Sequence, residues 1–287
     1  MPRISANVLA LGAIALWASL ATLGVSLSHV PPLLLTGVSL IIGSSIALPL
    51  SRFDVRSWRV PASTLGLGVY GLFGYHLLLF TALRHAPPVE ANLVNYLWPL
   101  GIVVMAPLFL RGVRLGALHI VATVMGFAGT ALVILGGRPV SGELAWGYVP
   151  AAGAAFVWAS YSLMTKRVAT FPTAAIGLFG LVSGVLSLAC HAALEPSTTL
   201  SASDWARLAL VGLGPLGAAF FLWDAALKRG DARHIGVLSF LTPLFSTLLL
   251  VTVRGERPGA TVLVAGGLIV GGAALGTRGG SERRQAP

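Results

Sequence analysis

The sequence is short of charged residues, since only 10% of its 287 residues are Asp, Glu, Lys or Arg, against roughly a quarter in an average soluble domain. So few charges cannot cover the surface of a soluble protein of this length. Apolar runs of about 20 residues, each long enough to cross a hydrocarbon core about 30 Å thick, recur from one end of the chain to the other. The sequence therefore predicts an integral membrane protein with almost no soluble part.

Cysteine is nearly absent, and Cys190 is the only one. This excludes an intramolecular disulfide and a cysteine-based metal cluster. The nine acidic residues and six histidines are mostly scattered in predicted loops, and no group of them has the spacing of a metal site or of a nucleophile with its base. We therefore predict no metal, no cofactor and no catalytic residue, and hence a protein that is not an enzyme.

A net charge of +10 could indicate a protein that binds nucleic acid. A nucleic-acid binder gathers its basic residues on one face, with aromatic residues between them. Here they stand singly or in small groups between apolar runs, which is typical of residues that anchor and orient helices in membrane lipid. We predict contact with lipid and none with nucleic acid.

Glycine, proline and charged residues divide the apolar runs into ten predicted spans. They cover residues 5–27, 32–51, 61–83, 88–110 and 115–136 in the first half, and 145–165, 172–194, 205–227, 232–253 and 258–277 in the second. Only helices and closed barrels bond every backbone group within hydrocarbon, and these runs lack the alternation of barrel strands. The predicted fold is an all-α membrane protein with ten transmembrane helices.

Ten crossings place the connections alternately on two sides, and the basic residues divide unequally between them. Fourteen of the 19 lie on the side that also holds both termini. The other five are Arg84, Arg138, Arg207, Arg254 and Arg257. Because Lys and Arg are enriched in cytoplasmic loops, both termini are predicted to be cytoplasmic.

The two halves resemble each other. A shift of 144 residues superimposes Ala82-Leu83-Arg84 on Ala226-Leu227-Lys228 and Tyr96-Leu97 on Phe240-Leu241, and a shift of 141 superimposes Trp17-Ala18-Ser19 on Trp158-Ala159-Ser160. Chance similarity among apolar residues is the alternative, but one offset shared over some 40 residues favours duplication. We predict two five-helix repeats, 1–140 and 141–287. Five is odd, so the second repeat is inverted, an arrangement typical of transporters that alternate access to a central site.

The fourth predicted span has the most polar pattern. At 3.6 residues per turn, Asn92, Asn95, Tyr96 and Pro99 share one stripe, and Trp98 borders it. Amides and a phenol are unfavourable against lipid, so the stripe predicts the wall of a polar and aromatic cavity. Hydrogen bonds that hold neighbouring helices together are the alternative for the asparagines.

Two prolines interrupt predicted spans at equivalent positions. Pro99 lacks the N–H that would bond the carbonyl of Asn95, and Pro243 likewise frees the carbonyl of Ser239. We predict a kink at each proline and an acceptor near the centre of the membrane at each freed carbonyl. Water or neighbouring hydroxyls that bond these carbonyls are the alternative.

Other candidates lie inside predicted spans. An intramembrane His76 beside Tyr75 suggests substrate binding or proton transfer, and a neutral histidine bonded to a neighbouring helix is the alternative. Trp17 and Trp158 fall in the middle of their spans, which predicts an aromatic lining, or else simple packing. Asp224 lies one turn from Lys228, which favours a plain ion pair over ion coupling.

Taken together, the ten spans, the five-plus-five repeat and the Trp-x-Ser element in each half resemble the EamA-type branch of the drug/metabolite transporter superfamily. Within it, Val94-Asn95-Tyr96-Leu97-Trp98-Pro99 with Tyr75 is similar to the bacterial aromatic amino-acid exporters. That resemblance implies export of aromatic and other neutral amino acids across a bacterial inner membrane through a central cavity, and His76 departs from the group's pattern. A multidrug or other metabolite carrier of the same architecture is the alternative. A monomer is compatible with the pattern, and proton coupling stays open.

The predicted site combines these residues. The candidate substrate-binding residues are Trp17, Tyr75, His76, Asn92, Asn95, Tyr96, Trp98, Trp158, Ser239 and Phe240, with Pro99 and Pro243 as kinks.

Overall fold

The computed structural model describes residues 4–136, 139, 144–253, 255 and 257–281, and this part of the chain contains helices and no strand. The long helical segments are α1 (Ala6–Ser26), α2 (Pro32–Leu50), α3 (Ala62–His85), α4 (Pro88–Phe109), α5 (Ala117–Leu135), α6 (Tyr148–Met164), α7 (Thr173–Leu194), α8 (Ala202–Arg229), α9 (Ala232–Val253) and α10 (Ala260–Ser281). The all-helical prediction is confirmed for the described residues.

The predicted span limits agree with these helices to within four residues. α8 begins three residues before its predicted start because Ser201 caps it, in a reciprocal capping box with Asp204. Within the described ranges, eight helices are long and apolar enough to cross a membrane. α6 has 17 residues, and the apolar part of α10, Ala260–Gly276, is similarly short. A count of ten spans therefore stays a prediction.

Some residues of the charge count fall outside the described part of the chain. They are Arg3, Arg138, Arg254, Arg283 and Arg284.

Contacts between helix ends define two faces of the bundle. At the face where α1 begins, called the first face, Arg229 Nη1 at the end of α8 donates to the Ile4 carbonyl at 3.3 Å. At the opposite, second face, the Gly147 N–H before α6 donates to the His85 carbonyl at the end of α3 at 3.2 Å. The start of α1 therefore lies beside the end of α8, whereas the start of α6 lies beside the end of α3.

A buried carboxylate joins the two halves at the second face. The side chain of Glu195, just after α7, is fully buried and pairs with Arg84 at the end of α3. It also accepts from the N–H of Leu33 at 3.0 Å and of Leu34 at 3.3 Å. Since these N–H groups lie in the first turn of α2, where no helical carbonyl can bond them, Glu195 acts as their cap.

Irregular turns recur in the two halves at one offset. Tyr70–Gly74 in α3 and Gly214–Ala218 in α8 are π-helical, and they lie 144 residues apart. α4 is interrupted at Tyr96, and α9 is interrupted between Leu238 and Leu241, around the equivalent Phe240. The duplication inferred from side chains is therefore repeated in the backbone geometry.

The outer surface of the bundle is apolar. Exposed side chains along the helices include Val8, Leu11, Leu108, Val124, Phe156, Val185, Leu210, Val264 and Val270. A soluble monomer rarely exposes so continuous an apolar surface. This surface is suited to contact with lipid tails.

Close packing of α2 against α8 yields the first testable prediction. A Cβ atom on Gly43 would lie 2.6 Å from the Gly212 carbonyl oxygen and 2.8 Å from the Gly217 Cα, whereas one on Gly66 would meet nothing within 4 Å. Gly43→Ala should therefore destabilise the protein by about 1–3 kcal/mol, typical of overpacking. Gly66→Ala, the matched control, should leave stability unchanged or raise it by up to about 1 kcal/mol through helix propensity.

Melting temperatures of both variants in detergent check this prediction. A Gly43→Ala variant that melts at the wild-type temperature would show that α2 and α8 are not in the described contact.

Candidate functional site

A cavity of about 380 Å³ lies among α1, α2, α3, α4, α6, α8 and α9. Its lining comprises Trp17, Leu20, Gly24, Leu27, Ser28, Val30, Pro32, Leu35, Thr36, Tyr75, His76, Leu79, Phe80, Asn92, Asn95, Tyr96, Trp98, Trp158, Leu216, Phe220 and Thr242. Ser28, in the connection between α1 and α2, is exposed to solvent and also lines the cavity. The cavity therefore runs from the centre of the bundle to the second face.

The deep end of the cavity is closed by four tryptophans, one each from α1, α4, α6 and α8. The ring centroid of Trp17 lies 6.2 Å from that of Trp98, 5.7 Å from that of Trp158 and 5.1 Å from that of Trp223. Trp98, Trp158 and Trp223 are almost fully buried. Edge-to-face and tilted pairs at these distances are favourable beyond the area they bury, so this cluster is a rigid floor.

Sequence reasoning missed two members of this aromatic region. Trp223 donates from Nε1 to Ser162 Oγ at 3.1 Å, which fixes its ring. Phe220 lies 5.6 Å from Trp158 and 6.1 Å from Trp17. The repeat offset could have found Phe220, because it is the equivalent of His76, whereas Trp223 is equivalent to Leu79 and carried no such signal.

The polar stripe of α4 faces this cavity, as its lining residues show. Asn95 Nδ2 donates to the phenol oxygen of Tyr75 on α3 at 3.2 Å, and the Tyr75 ring lies 5.4 Å from Trp158. Both readings of the asparagines apply, since Asn95 bonds a neighbouring helix and also lines the cavity. Asn95 Oδ1 is enclosed and has no partner among the described residues.

Among the described residues, His76 bonds its own helix and no neighbouring one. Its Nδ1 lies 2.6 Å from the Leu72 carbonyl of its own helix, one turn earlier. Its ring lines the cavity next to Tyr75, at a centroid distance of 5.1 Å. The alternative of a histidine that fastens two helices together is therefore wrong.

Two predicted site residues lie outside the cavity lining. Ser239 is fully buried and its Oγ donates to the Ile235 carbonyl at 2.8 Å. Phe240 is also fully buried, and its ring packs so closely on α5 that a Cβ on Gly126 would lie 2.3 Å from it. The carbonyl of Ser239 accepts from the Thr242 N–H at 3.0 Å. The expectation of a free acceptor at Ser239 is therefore wrong, because a tight turn bonds it.

The helix interruptions also bear on the predicted kinks. Each lies about three residues before its proline, at Tyr96 before Pro99 and around Phe240 before Pro243. The acceptor expected at the Asn95 carbonyl stays a prediction, as does the hinge role of both prolines.

The predicted ion pair at the end of α8 is confirmed. Lys228 Nζ lies 2.6 Å from Asp224 Oδ2 and 2.8 Å from the Phe171 carbonyl. Thr173 Oγ1 donates to the same Asp224 oxygen at 2.6 Å. Asp224 thus holds the start of α7 against α8 at the first face. Glu90, an acidic residue near the start of α4, accepts from the Tyr148 hydroxyl and lies outside the cavity lining.

These features define a class: a many-helix membrane protein whose two similar halves enclose an aromatic, uncharged cavity that reaches one face. Comparison with known proteins identifies the family. The EamA-like transporter family matches the chain twice, over residues 4–135 and 145–278, and the chain belongs to this family. The family is one of transporters, in agreement with the prediction that the protein is not an enzyme.

Two similar exporters match this chain over nearly their whole length. The aromatic amino acid exporter YddG of Ancylobacter novellus is 42% identical over 96% of this chain and 98% of its own length. The exporter of the same name from Escherichia coli K12 is 26% identical over 96% of this chain and 97% of its own. A crystal structure with 41% identity covers 98% of this chain and 99% of its own chain, with a TM-score of 0.89.

The tryptophan floor yields the second testable prediction. Trp223→Ala should leave a large void and cost about 3–5 kcal/mol of stability, as is typical when a buried large aromatic is truncated. Trp205, on the same helix, is 51% exposed, so Trp205→Ala should cost much less. Thermal melting of the two variants in detergent, side by side, checks the difference, and equal losses would contradict the placement of Trp223.

Proposed function

We propose that the protein exports aromatic and other neutral amino acids from the cytoplasm by alternating access through the central cavity. The observation that carries this proposal is the composition of the cavity wall. Among the described residues it has aromatic rings and neutral amide, hydroxyl and imidazole groups, and no Asp, Glu, Lys or Arg. An amino-acid zwitterion with a ring has no net charge and needs apolar walls with a few placed polar groups.

The name of the relative from Ancylobacter novellus supports the same substrate class. A carrier of lipophilic cations with this architecture would be expected to offer a carboxylate to its substrate. Asp224 and Glu90 lie outside the lining and are engaged elsewhere, so the cavity favours the amino-acid substrate over a cationic drug.

The membrane topology is part of the proposal. We infer ten spans in two inverted repeats, residues 1–140 and 141–287, in a bacterial inner membrane with the first face cytoplasmic. The contact of Ile4 with Arg229 at one face and of Gly147 with His85 at the other supports opposite directions for α1 and α6. The excess of basic residues on the side of the termini supports its cytoplasmic location.

Cysteine labelling in cells tests the inversion and is the third prediction. In a Cys190→Ser background, Ser28→Cys lies in the connection after α1 and Thr170→Cys in the connection after α6, and both positions are exposed. A membrane-impermeant maleimide should label position 28 in intact cells and position 170 only after permeabilisation. Labelling of both positions from the same side would contradict the inverted arrangement.

Uptake by proteoliposomes tests the substrate and is the fourth prediction. Purified protein should carry labelled phenylalanine and tryptophan faster than empty liposomes do. Tyr96→Ala and Trp98→Ala should each lower uptake roughly two- to tenfold, because an aromatic contact in the cavity is lost. Trp205→Ala, whose ring faces outward, is the matched control and should transport normally.

An absence of transport for every amino acid tested would rule out this substrate class. Uptake of a lipophilic cation such as tetraphenylphosphonium in its place would favour the multidrug alternative.

A further inference from the structure

The cavity wall departs from the symmetry of the repeats at a pair of chemically distinct rings. His76 on α3 and Phe220 on α8 are 144 residues apart, the offset of the repeat, and both line the cavity. Their ring centroids lie 6.3 Å apart. The second half therefore offers an apolar ring where the first half offers a ring with a hydrogen-bonding edge.

The hydrogen bond of His76 fixes which edge is available. The Leu72 carbonyl can only accept, so Nδ1 at 2.6 Å carries the proton and donates. In a neutral imidazole with Nδ1 protonated, Nε2 is an acceptor. Nε2 has no partner among the described residues, and it is not one of the enclosed polar atoms. It is therefore accessible from the cavity.

The surroundings of this acceptor are aromatic. The His76 ring lies 5.1 Å from Tyr75 and 6.1 Å from Phe80, in addition to Phe220. The polar lining groups Asn92 and Tyr96 belong to α4 and not to α3, the helix that carries His76. A charged ammonium with three N–H groups would be poorly solvated beside one acceptor among rings. A single neutral donor on an aromatic ring suits this place better.

We propose that His76 is a specificity-determining residue whose Nε2 accepts a hydrogen bond from the ring N–H or O–H of an aromatic amino acid, so that tryptophan and tyrosine are favoured over phenylalanine. This inference rests on the proposed function and adds to it a distinction within the substrate class. Tyrosine and phenylalanine pack the same six-membered ring against Phe220 and Phe80, so the difference between these two comes from the donor.

A matched pair of ligands tests the inference. Tryptophan is compared with 3-(3-benzothienyl)alanine, in which sulfur replaces the indole N–H and the ring shape is kept. Each is titrated as a competitor of labelled phenylalanine uptake in proteoliposomes. The ratio of the two half-inhibitory concentrations measures how much the N–H group contributes to binding. This ratio is determined for wild type, His76→Phe, His76→Gln and Phe220→Leu.

The expected result is a ratio in favour of tryptophan that falls about two- to tenfold in His76→Phe, the range for one neutral hydrogen bond. His76→Gln keeps an acceptor and should keep part of the preference. Phe220→Leu should weaken both competitors alike and leave the ratio unchanged. If His76→Phe cannot be purified, His76→Leu removes the acceptor in its place.

An unchanged ratio in the variants that lack the acceptor would overturn the inference. A wild-type protein that does not prefer tryptophan over 3-(3-benzothienyl)alanine would also overturn it. This failure is distinct from failure of the proposed function, in which wild-type protein would not take up labelled phenylalanine at all.

Discussion

A backbone amide within hydrocarbon has no water to bond, and the whole cavity depends on how the chain meets this constraint. Regular helix satisfies every group, and any departure from it needs another hydrogen-bond partner. The irregular turns of this protein lie where the cavity is: Tyr75 and His76 follow the π-helical turn Tyr70–Gly74, and Leu216 lies within Gly214–Ala218. π-helical turns commonly mark functional positions in helices. At these positions the irregular backbone lies in the interior, where a wet cavity or protein groups can bond it.

Equivalent positions in the two halves share their backbone geometry, but several of them carry different side chains in the cavity wall. Leu72 and Leu216 are equivalent, but Trp98 corresponds to Thr242 and His76 to Phe220. Duplication therefore supplies a symmetric framework that can rearrange about its centre, while substitution makes the wall asymmetric. An amino acid has an ammonium, a carboxylate and a side chain in a fixed arrangement, so a symmetric wall would fit it poorly.

Much of the fold was accessible from sequence because hydropathy and helix-breaking residues report directly on the membrane. Eight of the 21 lining residues of the cavity followed from two signals, namely polar groups inside apolar spans, as at Asn95, and aromatic residues far from the interfaces, as at Trp17. Trp223 was not predicted because the sequence does not show whether an apolar residue in an apolar span faces lipid or the interior. Phe240 was misplaced because equivalence to Tyr96 says nothing of Gly126, which leaves room for the ring on α5.

The two faces are fastened by different chemistry, and this bears on how a carrier of this design changes state. At the first face, Asp224 and Lys228 hold α8 to the start of α7, and the tryptophan floor seals the bundle above them. At the second face, Glu195 holds the start of α2 to α3 and α7 beside the cavity mouth.

Alternating access requires the first set of contacts to separate while the second face closes. Asp224 and Lys228 lie one turn apart on α8 and stay paired when α7 moves away. The bonds that break are those of Asp224 to Thr173 and of Lys228 to the Phe171 carbonyl, and buried polar groups left without a partner are costly. The side chains must exchange partners or meet water as the helices part, so the opening of the first face has to be coupled to the arrival of solvent there.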